Sequence, residues 1–101
     1  MRKITRDACA AFQQAITFDS ANTRVSVCPM FYASSVTLYL QSHAIARRRT
    51  NIPGFEITTA GWQTATTKER LNGLPGVQVY HKNFQLFLNG KLWDGNWIKI
   101  Q

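Results

Sequence analysis

The dipeptide Asn89-Gly90 constrains this chain more than any other local feature. Both residues accept the left-handed backbone that a two-residue hairpin turn demands, and apolar runs flank them on either side. Phe84-Gln85-Leu86-Phe87-Leu88 therefore pairs with Lys91-Leu92-Trp93. Working outward, Lys82-Asn83 reads as a tight turn from the strand Val77-Gln78-Val79-Tyr80-His81. Asp94-Gly95 turns the chain into Trp97-Ile98-Lys99-Ile100, which completes a β-meander.

The first half carries the same period-two signal. Val25 and Val27 mark a short strand ended by Pro29, because proline cannot donate to a ladder. Val36, Leu38 and Leu40 alternate with Thr37, Tyr39 and Gln41, the pattern of a half-buried strand. A turn around Gln41-Ser42-His43 leads into Ala44-Ile45-Ala46-Arg47, and Phe55-Glu56-Ile57-Thr58-Thr59 is the next strand, broken by Gly61. Two helices interrupt these strands. The stripe Ile4, Ala8, Phe12, Ala15, Ile16 predicts a helix from Thr5 to about Thr17, with Thr5 as N-cap and Asp7 in the first turn. Asp19-Ser20-Ala21-Asn22 follows as a loop. Thr66 and Glu69 have the spacing of a capping box, with Gly73 as C-terminal cap and Leu71 and Leu74 as anchors. The expectation is α+β: an N-terminal helix packed on an antiparallel sheet (meander), with a short inserted helix. Phe12, Phe84, Leu86 and Leu88 are expected in the core. With 101 residues and no repeat or low-complexity tract, one domain spans 1–101.

Charge narrows the function. Twelve Lys and Arg face five Asp and Glu, a formal net charge of +7. That excess disfavours mimicry of DNA and carboxylate-based metal binding, and favours a polyanionic partner. The excess is uneven, with seven basic against two acidic residues in positions 1–50 and five against three in the remainder. Cys9 and Cys28 are too few and too far apart for a disulfide scaffold or a zinc or redox pair. No signal peptide and no stretch of about 18 apolar residues is present, so the chain reads as soluble, cytoplasmic and free of any membrane.

Catalysis finds little material. Four of the five carboxylates already suit helix starts or turns: Asp7 and Glu69 the former, Asp19 and Asp94 the latter. A thiol nucleophile at Cys9, with His43 or His81 as base, lacks any surrounding signature. Zinc held by Cys9, Cys28, His43 and His81 lacks paired spacing, and Gly73-Leu74-Pro75-Gly76 is not followed by the Lys-Ser/Thr of a phosphate loop. No enzyme activity, metal or cofactor is expected. Arg47-Arg48-Arg49, at the end of a hairpin, is the sharpest binding feature, with Arg24, Arg2, Lys3 and Arg6 as neighbours. Guanidinium forks match phosphate oxygens without reading sequence. Lys68 and Arg70, beside Thr64, Thr66 and Thr67 at a short helix start, form a second anion-holding candidate. Tyr39 and Tyr80, on the polar faces of their strands, are candidates for base stacking.

Several stretches also resemble a family of short phage and prophage proteins of unknown function. They are Met1-Arg2-Lys3-Ile4-Thr5, Ala11-Phe12, Asn22-Thr23-Arg24-Val25, Leu38-Tyr39-Leu40 with Ile45-Ala46, the segment from Ala60 through Gly61 and Trp62 to Leu74, and Leu88-Asn89-Gly90-Lys91-Leu92-Trp93-Asp94-Gly95. Where family members have a glycine-containing turn between Ser42 and Ala44, this chain has His43. The resemblance implies a phage setting and carries over no catalytic residue. Two readings follow. In one, a small accessory protein binds nucleic acid, or a host nucleoprotein complex, through Arg47, Arg48, Arg49, Arg24, Lys68, Arg70 and Tyr39. In the other, an anti-defence inhibitor, for example an anti-CRISPR protein, binds an acidic patch on a host protein.

Overall fold

Alternating burial becomes an antiparallel sheet in the computed structural model, which describes residues 1–100. Helix α1 (Lys3–Gln14) is followed by strands β1 (Phe18–Ser20), β2 (Thr23–Pro29), β3 (Ser34–Leu40), β4 (His43–Arg49) and β5 (Phe55–Ile57). Helix α2 (Ala65–Asn72) then precedes β6 (Val79–Lys82), β7 (Gln85–Leu88), β8 (Lys91–Leu92) and β9 (Ile98–Ile100). The class is α+β. The first five strands are joined in chain order, and β9 adds to β5, so the main sheet runs β1-β2-β3-β4-β5-β9. Strands β6, β7 and β8 form a separate three-stranded sheet. The C-terminal strands therefore do not complete one meander: after Asp94-Gly95 the chain leaves β8 and returns to the main sheet, pairing Ile57 with Ile98 and Phe55 with Ile100.

Val25, Val36, Leu38, Ile45, Ile57 and Phe12 lie in one core cluster with Leu71, Val79, Leu86 and Leu88, so both sheets and both helices share an interior. The Phe12 and Phe55 rings meet edge to face at 5.9 Å. The stripe along α1 is displaced from its expected position. Ala8, Cys9 and Phe12 are buried, but Ile16 lies beyond the helix and is exposed. Thr5 is not the N-cap; Arg2 holds that position without a side-chain cap, and Thr5 is buried one turn in. Asp7 instead accepts from Lys3 Nζ at 2.6 Å across one turn. Ala15, in the left-handed region at φ 56°, ends α1.

Turn chemistry accounts for the other differences. Residues 19–20 join β1 rather than a loop, because Ala21 at φ 51° turns the chain into β2. Gln41 and Ser42 both have positive φ (50° and 71°), so they alone make the β3–β4 turn and His43 already pairs with Leu40. Asn83 and Phe84 (53° and 64°) make the β6–β7 turn, one residue later than expected. Phe84 is therefore a fully exposed turn residue and not part of the core. Asn89-Gly90 turns as expected, with both φ positive.

The α2 segment is knitted into the fold by its own side chains. Thr64, not Thr66, is the N-cap, accepting from the Thr67 backbone N–H at 3.2 Å. Glu69 is thereby released from the expected capping box and turns toward α1. Asn72 both donates to the Val79 carbonyl (3.0 Å) and accepts from its N–H (2.6 Å), as a neighbouring strand would. Gly73 caps α2 where no side chain fits: a Cβ there would lie 2.7 Å from Cys9 Sγ and from Thr5 Cγ2.

Candidate functional site

Strand periodicity sorts the three consecutive arginines. Along β4 successive side chains point to opposite faces, so Arg47 and Arg49 share the outer face while Arg48 turns inward. Arg48 Nε donates to the Phe12 carbonyl at 2.9 Å, and Nη2 to the Gln13 carbonyl at 2.6 Å. These are last-turn carbonyls of α1, which no helical N–H can reach. Arg48 thus closes a helix and is not part of the outward-facing cluster.

Cross-strand register arranges the outer face in rows. Arg24 pairs with Tyr39. In the next row Ser26 meets Thr37, Thr37 meets Arg47, Arg47 meets Glu56, and Glu56 meets Lys99. In the third, Cys28 meets Ser35 and Ser35 meets Arg49. Arg24, Arg47 and Arg49 therefore occupy three successive rows, with steps of about 7 Å along the strands. Two of them lie over aromatic rings. The Arg24 guanidinium lies 4.5 Å from the Tyr39 ring centroid, and that of Arg47 lies 3.9 Å from the Trp97 ring. Arg47 Nε also donates to Glu56 Oε1 at 2.8 Å, an exposed pair worth about 1 kcal/mol or less. Among the described residues Arg49 and Lys99 form no ion pair. Together with Arg47, Arg48, Ile52 and Glu56 they border a cleft of about 440 Å³ between the sheet and the loop before β5, which Arg48 reaches while its guanidinium closes α1. An open, polar, guanidinium-bearing face of this kind can hold phosphate oxygens.

The other sequence candidates lie elsewhere. Arg70 is 1% exposed and cannot meet a partner. Its Nη1 donates to Thr5 Oγ1 (2.7 Å) and to Glu69, and its Nε to Thr23 Oγ1 (2.9 Å), linking α2 to α1 and β2. Glu69 further accepts from Arg2 Nε at 2.9 Å and from Thr5 Oγ1 at 2.8 Å. These donors, with the Arg2 and Arg70 charges, hold its carboxyl below the ordinary 4.5. Lys68 lies apart from the cleft, its Nζ 2.8 Å from His81 Nδ1. Arg2, Lys3 and Arg6 stand at the opening of α1, about 10–16 Å along the helix axis from the Gln13 carbonyl that Arg48 holds. Tyr80 has one ring face covered by Phe87, stacked at 5.4 Å.

Cys9 is buried, donates to the Arg70 carbonyl at 3.3 Å, and has its thiol pushed up to about 11 by that burial. His43 lies against Trp62 and His81 beside Lys68 and Gln63. No group of three or more His, Cys, Asp or Glu among the described residues is placed to hold a metal ion. No helix among them is long and apolar enough to cross a membrane.

Sequence reasoning missed Lys99, Trp97 and the pair Phe31-Tyr32. The first two reach the site only because β9 returns to β5. The last two carried a readable signal, large apolar residues just after Pro29 in a strand connection.

Residues 1–100 match a family model described as Kyanoviridae Gp96 protein. Comparison with curated proteins and with solved structures gives no match.

Proposed function

Because the chain belongs to the Kyanoviridae Gp96 protein family, a family of phage proteins, we propose that it is a small phage-encoded accessory protein binding nucleic acid in the host cytoplasm. The partner is bare nucleic acid or a nucleoprotein complex, and the binding surface is the outer face of the main sheet. One observation carries this reading: Arg24, Arg47 and Arg49 fall on successive rows of a single solvent-facing surface, with Lys99 beside them. Tyr39 and Trp97 hold two of the guanidinium planes, lowering the ordering cost of gripping a phosphate. The role is binding rather than catalysis. Fluorescence anisotropy with labelled DNA and RNA from 50 to 300 mM salt tests it. Three or four neutralised phosphates predict a log–log slope of about −2 to −4. The Arg47→Ala/Arg49→Ala protein loses that binding while remaining folded. Absence of binding at 50 mM salt by the unaltered chain ends the reading.

A second reading, inhibition of a host defence complex by protein contact, draws on the small sheet. Tyr80 pairs with Phe87 and Phe87 with Leu92, an apolar row whose last member is 64% exposed. Such a row can anchor a protein interface. Phe87→Ala then abolishes capture of the host target, and Arg47→Ala/Arg49→Ala does not.

A further inference from the structure

The third row of the basic face leads directly into an exposed aromatic tip. Residues 30–33 connect β2 to β3, and the Met30 N–H donates to the Ala33 carbonyl at 2.7 Å, closing a tight loop. Phe31 and Tyr32 are 89% and 85% exposed, their rings edge to face at 4.5 Å. The loop is tied to the arginine strand: the Thr50 N–H donates to the Ser34 carbonyl at 3.0 Å, and Thr50 Oγ1 accepts from the Ser34 N–H at 2.9 Å. Cys28, Ser35 and Arg49 form the row immediately beneath. Arg47 and Arg49 thus stand about 7 Å apart along β4, with Arg24 one row further back and two strands across, and the face ends at two aromatic rings that no other part of the chain covers.

We infer that the ligand of this face is single-stranded nucleic acid, with phosphates along Arg24, Arg47 and Arg49 and unstacked bases on Phe31 and Tyr32. The inference rests on the proposed nucleic-acid reading and adds the class of ligand. A duplex satisfies arginines through its outer phosphates, but its bases are already stacked and offer Phe31 and Tyr32 nothing. A single strand exposes a π-face at every nucleotide, and the Arg47–Arg49 separation along β4 is of the order of the step between successive phosphates of an extended strand. Base stacking also buries aromatic surface that otherwise faces water.

The test compares a labelled twelve-nucleotide oligothymidylate with a hairpin duplex of equal phosphate number, at 50 mM salt, using anisotropy. The proteins are the full chain, Phe31→Ala/Tyr32→Ala and Arg47→Ala/Arg49→Ala, each checked for folding by circular dichroism. The inference expects tighter binding of the single strand by the full chain. It also expects Phe31→Ala/Tyr32→Ala to weaken single-strand binding about 10-fold or more and leave duplex binding unchanged. Arg47→Ala/Arg49→Ala weakens both. Equal affinity for the two ligands, unmoved by the loop variant, overturns the single-strand inference and leaves the basic-face reading standing. No binding of either ligand overturns both. Loop-dependent binding of phosphatidylglycerol vesicles without oligonucleotide binding also overturns both, and assigns the tip to a lipid surface.

Discussion

Arg48 Nε reaches the Phe12 carbonyl at 2.9 Å and so closes the C-terminus of α1 with a cation that the helix's own last turn lacks. A positive charge there also complements the negative end of the helix dipole. The neighbours on either side of Arg48 face the opposite way, so three identical side chains divide between fold and surface.

That division predicts opposite phenotypes along three adjacent positions. Arg48→Ala removes two charge-assisted hydrogen bonds to backbone and is expected to destabilise the protein by about 1–3 kcal/mol. Arg47→Ala and Arg49→Ala, on the exposed face, are expected to change stability by about 1 kcal/mol or less. Urea denaturation of the three variants checks both, and equal losses at all three positions contradict the assignment.

Arg70 is expected to be the most sensitive basic residue in the chain. Arg70→Ala strips Thr5, Thr23 and Glu69 of a shared donor and opens a void between α1, α2 and β2. A loss of about 2–5 kcal/mol follows from the buried Thr5 and Thr23 hydroxyls left without their charged donor and from the void itself. Denaturation measures it, and a loss below 1 kcal/mol contradicts the placement.

Acid sensitivity is expected to centre on Glu69. Its carboxyl is held below 4.5 by the Arg2 and Thr5 hydrogen bonds and the nearby guanidinium charges. The stabilisation is therefore present above the ordinary carboxylate value and is lost as pH falls through the depressed folded value. Glu69→Gln lowers stability at neutral pH and flattens the decline below pH 4.5. Melting temperature against pH for both proteins reads this, and parallel profiles contradict it.

The two cysteines are expected to differ sharply toward iodoacetamide at pH 8. Cys28 is exposed and alkylates in the native protein, whereas Cys9 stays inert until the chain unfolds, since burial pushes its thiol up to about 11. Stability also declines as pH rises above the unfolded thiol's 9.0, because the unfolded chain ionises there first. Mass spectrometry of alkylated peptides separates the two sites. Native labelling of Cys9 contradicts the first expectation.

How far these features were legible in the sequence depends on how local their causes are. Asn89-Gly90 declares its turn because the residues themselves favour the backbone it needs. Gln41-Ser42 and Asn83-Phe84 adopt the same backbone with less suited residues, so the sequence alone extends the first turn to His43, sets the second one position early, and makes Phe84 read as core. The alternation of Arg47, Arg48 and Arg49 was available from period two alone, once the strand is carried through to Arg49. Arg70 was not legible. Its burial depends on Thr23 and Thr5, 47 and 65 positions away, and nothing beside it in sequence announces them.

The pairing of β9 with β5 has a kinetic corollary. Ile98–Ile100 lie some forty positions downstream of the strand they complete, so the β5 edge is unsatisfied throughout synthesis of the intervening segment. The consecutive hairpins from β1 to β5 involve only short loop closures and form early, while the last ladder waits on a long one. During that interval the nascent sheet carries a bare edge open to pairing with another chain. Conditions that slow translation past α2 lengthen the exposure, making aggregation during expression a matter of timing as well as of stability.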